Sequence, residues 1–203
     1  MSDVLESIRD QAREQPARIL LPESDDERTL RAAARLATEE LAVPVMLGPD
    51  PEAERLCSEH GIPMDPIEFR PYPSGARREE LVSTYAELRD VDADTADRLL
   101  EDPMVLGVLL LRNGEVDGVV GGATRPTAEV IATANGVIGL APSIDLVSSF
   151  FLMVLDDPSV GTDGAMLYAD CAVNIDPDAE QLATIAVQTA GAADRLLGWT
   201  PRV

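Results

Sequence analysis

Short apolar runs alternate along this chain with longer segments of helical periodicity. The runs are residues 19–21, 43–47, 116–120, 145–155 and 166–173. That alternation is the pattern of βαβ units, whose crossover helices bring successive strands side by side in a mainly parallel sheet. Residues 4–13 form a first amphipathic helix. The strand at 19–21 is ended by Pro22, and Ser24 with Glu27 makes a capping-box signature for the next helix. Leu30, Ala33, Ala34, Ala37 and Leu41 share one face of that helix. The strand at 43–47 closes on Gly48-Pro49, and a short helix covers 51–60. Four prolines (Pro63, Pro66, Pro71, Pro73) predict an extended connection over 62–74.

Further along, Leu81, Tyr85 and Leu88 align on a helix that ends near Arg89. A short helix follows at 93–101, and Pro103 opens an apolar one that stops at Asn113-Gly114. The strand at 116–120 runs into Gly121-Gly122. Pro126 suits the first position of another helix, and Asn135-Gly136 suits its end. After the strands at 145–155 and 166–173, Asp176-Pro177 starts a long helix carrying Leu182, Ile185, Ala186 and Ala193. Gly198 stops it, and residues 201–203 read as the start of another strand. The expected fold is α/β and three-layer, a mainly parallel sheet flanked by helices, with the beginning of a second α/β domain. The N-terminal domain spans 1–142 and the partial second domain 143–203.

Charge narrows the function. The net charge is −21, and the 16 basic residues are all arginine. A field of this sign repels nucleic acid. Acidity beyond what arginine-rich codon usage explains favours a salt-rich cytoplasm, where a dense acidic surface stays hydrated and screened. No apolar run reaches the roughly 18–20 residues of a membrane span. The first residues lack the basic start and apolar stretch of a signal peptide, so a cytoplasmic location is expected. Cys57 and Cys171 match no metal or redox spacing and read as free thiols.

Three places can carry chemistry. The first is the unit from Val116 to Asn135, where a buried strand enters two glycines and then a helix. Gly121 and Gly122 allow close backbone approach, the helix start offers N–H groups and partial positive charge, and Thr124, Arg125 and Thr127 add donors. An oxyanion such as phosphate fits there. The plainer alternative is a simple turn with Thr127 as helix cap. No G-x-G-x-x-G fingerprint occurs. The second is Arg89, either an anion ligand or a solvated cation well placed for the helix dipole. The third is Asp170, Cys171 and Asn174, with Asp170 and Asn174 on one strand face and Cys171 on the other, lining a cleft or bonded internally. His60 is the only histidine and falls at a helix end, so a Ser-His-Asp triad finds no support, and zinc lacks ligands. The pairs Asp25-Asp26 and Asp156-Asp157 read as a helix start and a turn.

Several segments together resemble the phosphate acetyl/butyryltransferase family. They are Ile-Leu-Leu-Pro-Glu-Ser-Asp-Asp-Glu-Arg-Thr-Leu (19–30), Tyr-Ala-Glu-Leu-Arg (85–89), Val-Asp-Gly-Val-Val-Gly-Gly-Ala-Thr-Arg-Pro-Thr (116–127), Leu-Val-Ser-Ser-Phe-Phe-Leu-Met (146–153) and, most specifically, residues 167–183. Some malic enzymes share pieces of this pattern. The resemblance implies two α/β domains with an active site in the cleft between them, and transfer of an acetyl group between coenzyme A and phosphate through a ternary complex. Coenzyme A is then a substrate, no cofactor or metal is needed, and the protein is a homo-oligomer, a dimer. Arg89 matches the family's substrate-binding arginine, and Thr127 falls in the loop that touches the acyl phosphate. Gly121, Gly122, Thr124, Arg125 and Asn174 complete the expected substrate-binding set.

Two departures stand out. Ala132 occupies the place of a family arginine, for which Arg125 is the nearest substitute. The chain also stops at Val203, before the segment expected to hold the catalytic aspartate, so no residue here is assigned as the base. A non-catalytic paralogue that binds phosphate or acyl phosphate, or a fragment needing a separate C-terminal half, is the second reading.

Overall fold

The computed structural model describes residues 3–142 and 144–203. Its elements are, in order, α1 (Asp3–Glu14), β1 (Arg18–Leu20), α2 (Glu27–Thr38), β2 (Val43–Leu47), α3 (Pro51–His60), β3 (Glu68–Arg70), α4 (Gly75–Arg89), α5 (Ala93–Leu99) and α6 (Pro103–Arg112). There follow β4 (Gly118–Val119), α7 (Thr127–Val137), β5 (Phe150–Val154), β6 (Ala165–Ala169) and α8 (Ala179–Leu197). The chain divides into two compact units. The larger is Ala12–Gly139; the smaller is Leu140–Val203 with the start of the chain as far as Gln11.

In the larger unit four strands form a parallel sheet in the order β3-β2-β1-β4. Strand periodicity sorts the apolar residues between its two faces. Leu20, Val45 and Leu47 pack with Leu81, Tyr85, Leu100, Leu106 and Leu109 of α4 to α6 and their connections. Their neighbours Leu21 and Met46 pack the other way, with Leu30 and Ala33 of α2 and Leu56 and Cys57 of α3. This is the expected three-layer α/β arrangement. Pro44 is tolerated inside β2 because pairing to β3 begins only at Val45↔Glu68, while Val43 N and Val45 O bond toward the β1 side.

Helix α6 crosses β1 closely. A Cβ on Gly107 would lie 2.6 Å from Leu20 Cδ2, so this position admits no side chain without displacing a fully buried leucine. Elsewhere an arginine–glutamate string links elements that are not neighbours in the sheet. Arg18 reaches Glu68 at 2.7 Å, Arg70 reaches Glu68 at 3.0 Å and Glu115 at 3.9 Å, and Arg77 of α4 also pairs with Glu115. Such part-exposed pairs contribute about 0–1 kcal/mol each and weaken with salt.

The smaller unit is built on an antiparallel hairpin, β5 with β6, in register from Phe150↔Ala169 to Val154↔Ala165, with α8 packed on β6. The general expectation was a mainly parallel sheet, and this pair departs from it. A polar connection too short to hold a crossover helix joins the two strands, which forces the antiparallel choice.

Other details differ from expectation. Ser24 does not cap α2. Asp26 does, accepting from the amides of Arg28 and Thr29, while the Ser24 hydroxyl donates to Asp50 at 3.4 Å. The proline-rich connection contains β3, which pairs along the sheet edge. Strand β4 is shorter than 116–120, because its partner β1 is short and pairs with it only at Ile19↔Gly118 and Leu20↔Val119. Pro126 is the cap of α7 rather than its first residue, and that helix runs through Asn135-Gly136 to Val137. Of 145–155 only Phe150–Val154 is strand, and of 166–173 the strand stops at Ala169. Helix α8 begins at a capping box of Asp178 and Gln181, not at Asp176-Pro177, and residues 201–203 form no strand.

Candidate active site

In the larger unit the chain moves outward from β1 to β2 and β3, then returns to place β4 on the other side of β1. The order therefore reverses between β1 and β4. In open parallel sheets ligands bind beyond the carboxyl ends of the strands at such a reversal. Two segments meet there. One is the exit of β1 through Pro22-Glu23-Ser24, the other the exit of β4 through Gly121-Gly122-Ala123-Thr124. Leu21, Glu23, Arg28, Thr29, Val120 and Ala123 line a cavity of about 270 Å³ between them.

Each glycine has its own reason. A Cβ on Gly121 would collide with Met104 and crowd Pro22, while Gly122 has φ +112, a region closed to most side chains. The turn thus directs its amides to one point. That point is occupied by the carboxylate of Glu23, which is only 4 % exposed. Oε2 accepts from the amides of Gly122 and Ala123, both at 2.9 Å. Oε1 accepts from the Thr124 amide at 2.8 Å and the Thr124 hydroxyl at 2.9 Å. Burial pushes the Glu23 pKa up, but these hydrogen bonds outweigh it and hold the carboxyl below its usual range. The glycine turn does collect an anion, as its composition suggested, and the anion is the protein's own.

The expected arginines are placed differently. Arg125 donates to Asp102 at 2.7 Å, which itself caps α6. Arg28, not singled out from sequence, bridges Asp26 and the carbonyl of Ala123, at 2.8 and 2.7 Å. Arg89 lies at the other end of α7, donating to the carbonyl of Gly136 at 2.7 Å. A Cβ at Gly136 would collide with its guanidinium. Arg112 donates to the next carbonyl, Val137, at 2.8 Å. Cations at these last carbonyls satisfy the helix end and its partial negative charge, which explains why α7 continues through Asn135-Gly136. The carbonyl that Arg89 holds, Gly136, lies nine positions after Thr127, about 13–14 Å along the helix axis. Thr127 is the first residue of α7, where no side chain caps the helix. Ala132 is exposed on the same helix.

Asn174 belongs to the smaller unit, in a turn wrapped around Asp170. That carboxylate accepts from the Ser149 amide and hydroxyl at 3.0 and 2.6 Å, and from the amides of Val173 and Asn174 at 3.1 and 2.5 Å. The Asn174 side chain donates to Asp170 and to the Val147 carbonyl, both at 2.9 Å. Burial raises the Asp170 pKa, but the bonds from Ser149 and Asn174 outweigh it and hold the carboxyl far below its ordinary range. Residues 170–174 are thus a carboxylate-centred turn rather than one face of a strand.

Cys57 and Cys171 are free thiols, and burial pushes the Cys57 thiol up. His60 faces Glu27 at 3.4 Å. Among the described residues no cluster of His, Cys, Asp and Glu could hold a metal, and no helix is long and apolar enough to cross a membrane.

Glu23, Arg28, Asp102 and Ser149 were missed from the sequence as site residues. Glu23 carried one usable signal, a carboxylate just past the carboxyl end of a buried strand. Its partner turn lies about a hundred residues away, and only the sheet order brings the two together.

Comparison with known proteins agrees with this architecture. The family model for phosphate acetyl/butaryl transferase matches residues 3–203. A phosphate acetyltransferase of Clostridium acetobutylicum is 32 % identical over 204 residues, covering 99 % of this chain and 61 % of that protein. The Escherichia coli phosphate acetyltransferase is 41 % identical over 196 residues, covering 95 % of this chain and 26 % of that protein. A phosphotransacetylase structure from Streptococcus pyogenes superposes with a TM-score of 0.85 at 33 % identity, over 97 % of this chain and 60 % of that one. The chain thus spans about three-fifths, or less, of the length of these relatives. The match along nearly its whole length shows that the chain belongs to the phosphate acetyl/butaryl transferase family.

Proposed function

We propose that this chain is part of a phosphate acetyltransferase, converting acetyl-CoA and phosphate to acetyl phosphate and coenzyme A. The observation that carries the reading is the family match over residues 3–203, with relatives of that name covering the chain. Coenzyme A is a substrate here and no cofactor is invoked. In the reverse direction a deprotonated coenzyme A thiol attacks the acetyl carbonyl and phosphate leaves, so the site must hold a phosphate anion and a developing oxyanion. Gly121, Gly122 and Thr124 shape the loop around Glu23, and the groups left to meet the substrate beyond the sheet are those of Arg125 and Thr127. Arg125 stands in for the cation absent at Ala132, and Arg89 and Asn174 belong to the same substrate-binding set. The division into domains at 1–142 and 143–203, and assembly as a homodimer, are part of the reading. Following thioester absorbance with the purified chain, acetyl phosphate and coenzyme A tests it. Binding of acetyl phosphate is the expected result, with turnover only if the general base lies within these residues; a chain that does not bind acetyl phosphate removes the reading.

We further propose a salt-rich cytoplasm as the setting. The charge of −21 gives self-repulsion that salt screens, and this outweighs the modest loss from weakened surface ion pairs. Melting temperature is expected to rise between low and multimolar potassium chloride; equal values would remove the idea.

A further inference from the structure

We propose that Glu23 is a positioning residue for the acyl-phosphate site, an internal anion that permanently fills the amide cradle of the glycine turn. This rests on the reading of the chain as a phosphate acetyltransferase. Three consecutive amides, those of Gly122, Ala123 and Thr124, point at one carboxylate, and the Thr124 hydroxyl joins them. Converging amides of this kind are what proteins use to hold phosphate or carboxylate ligands. Here the ligand is tethered to the end of β1 and almost wholly buried. The turn's donors are therefore spent on the protein, and a substrate anion has to be met by what the turn presents outward.

That outward set is fixed by the same carboxylate. Thr124 is held through both its amide and its hydroxyl, and Arg125 and Thr127 follow within three residues. Arg28, anchored by Asp26, pins the Ala123 carbonyl from the other side at 2.7 Å. The β1 exit thus grips the β4 exit at both its donors and one acceptor, and sets the direction in which α7 starts. A positioned site loses little entropy when the ligand arrives, which is how a residue that never touches substrate raises affinity.

The two oxygens have unequal replacements. In Glu23→Gln one oxygen becomes an NH2 group facing amide donors, so half the cradle is lost at nearly constant shape. In Glu23→Ala the cradle is emptied, leaving room for a small carboxylate from solution. The test uses the 203-residue chain, with amide hydrogen exchange at Gly122, Ala123 and Thr124 and calorimetric titration with acetyl phosphate. In the unmodified chain the three amides are expected to be protected. Both variants should exchange there at least about tenfold faster and bind acetyl phosphate about tenfold more weakly, with formate restoring both properties in Glu23→Ala but not in the unmodified chain.

Each other outcome overturns the assignment. A lowered melting temperature with unchanged affinity in the folded variants makes Glu23 structural only. Tighter acetyl phosphate binding by Glu23→Ala means the substrate competes for the cradle. If Glu23→Ala does not fold, Glu23→Gln decides alone, and unchanged affinity there removes the proposal. Failure of the unmodified chain to bind acetyl phosphate removes the functional reading itself and this assignment with it, a result distinct from binding that Glu23 does not affect.

Discussion

Replacing Asp170 with asparagine should destabilise the smaller unit by about 3 kcal/mol at neutral pH, read as a lower urea midpoint. The side chain keeps its shape, but one oxygen becomes a donor. Either Ser149 or the amides of Val173 and Asn174, all of which donate to Asp170, then face a like group. The pH dependence follows in sign. The folded carboxyl titrates well below its ordinary range, so its stabilising contribution is complete above about pH 4, where an unfolded aspartate is ionised. It drains as pH falls further toward the folded value. The unmodified chain should therefore lose stability steeply below pH 4, and the variant should show a shallower slope from a lower start. A variant with the original midpoint at pH 7 would show that the turn stands without its central anion.

The second large effect is expected in the core. Leu20→Ala removes a side chain with no solvent exposure from the central strand and should cost about 3–5 kcal/mol. Leu20 is also the residue that Gly107 accommodates. Gly107→Val alone overpacks the same space, at about 2–3 kcal/mol. The two changes should compensate, so the double variant is more stable than the sum of the single costs predicts, by at least about 1 kcal/mol. Strict additivity in denaturant melts would mean that α6 and β1 do not meet at this point.

The fold was largely legible because its rule is local. Leu20 against Leu21, and Val45 and Leu47 against Met46, alternate between two clusters, and both strands stand out as short apolar runs. The helices of the larger unit were found nearly to the residue wherever glycine, proline or a capping acid marked the ends, as at Pro51–His60 and Pro103–Arg112. Errors gathered where distant contacts decide. Strand β3 carries Glu68 and Arg70 rather than an apolar run, and exists because β2 offers it an edge. Helix α7 passes its apparent stop because two arginines from other helices hold its last carbonyls. Ser24 looked like a cap only until Asp50, from the neighbouring strand exit, claimed its hydroxyl.

The candidate site was half legible. Glycines followed by threonine and arginine announce a donor-rich turn, and the turn is there. What the turn faces was not readable, since residue 23 and residues 122–124 are joined only through the order of strands. For the same reason Arg89 and Arg125 could be named but not placed. Their carbonyl and carboxylate partners leave no trace in local spacing.

One helix position illustrates how such placement works. Gly136 has no side chain, and Arg89 has among the longest in the chain. The bare backbone at 136 is what lets the guanidinium settle on a carbonyl instead of reaching into solution. The posture of Arg89 is therefore encoded forty-seven residues away, in an absence. Any side chain at 136 would turn a docked cation into a roaming one, altering the local field without changing a single charge in the sequence.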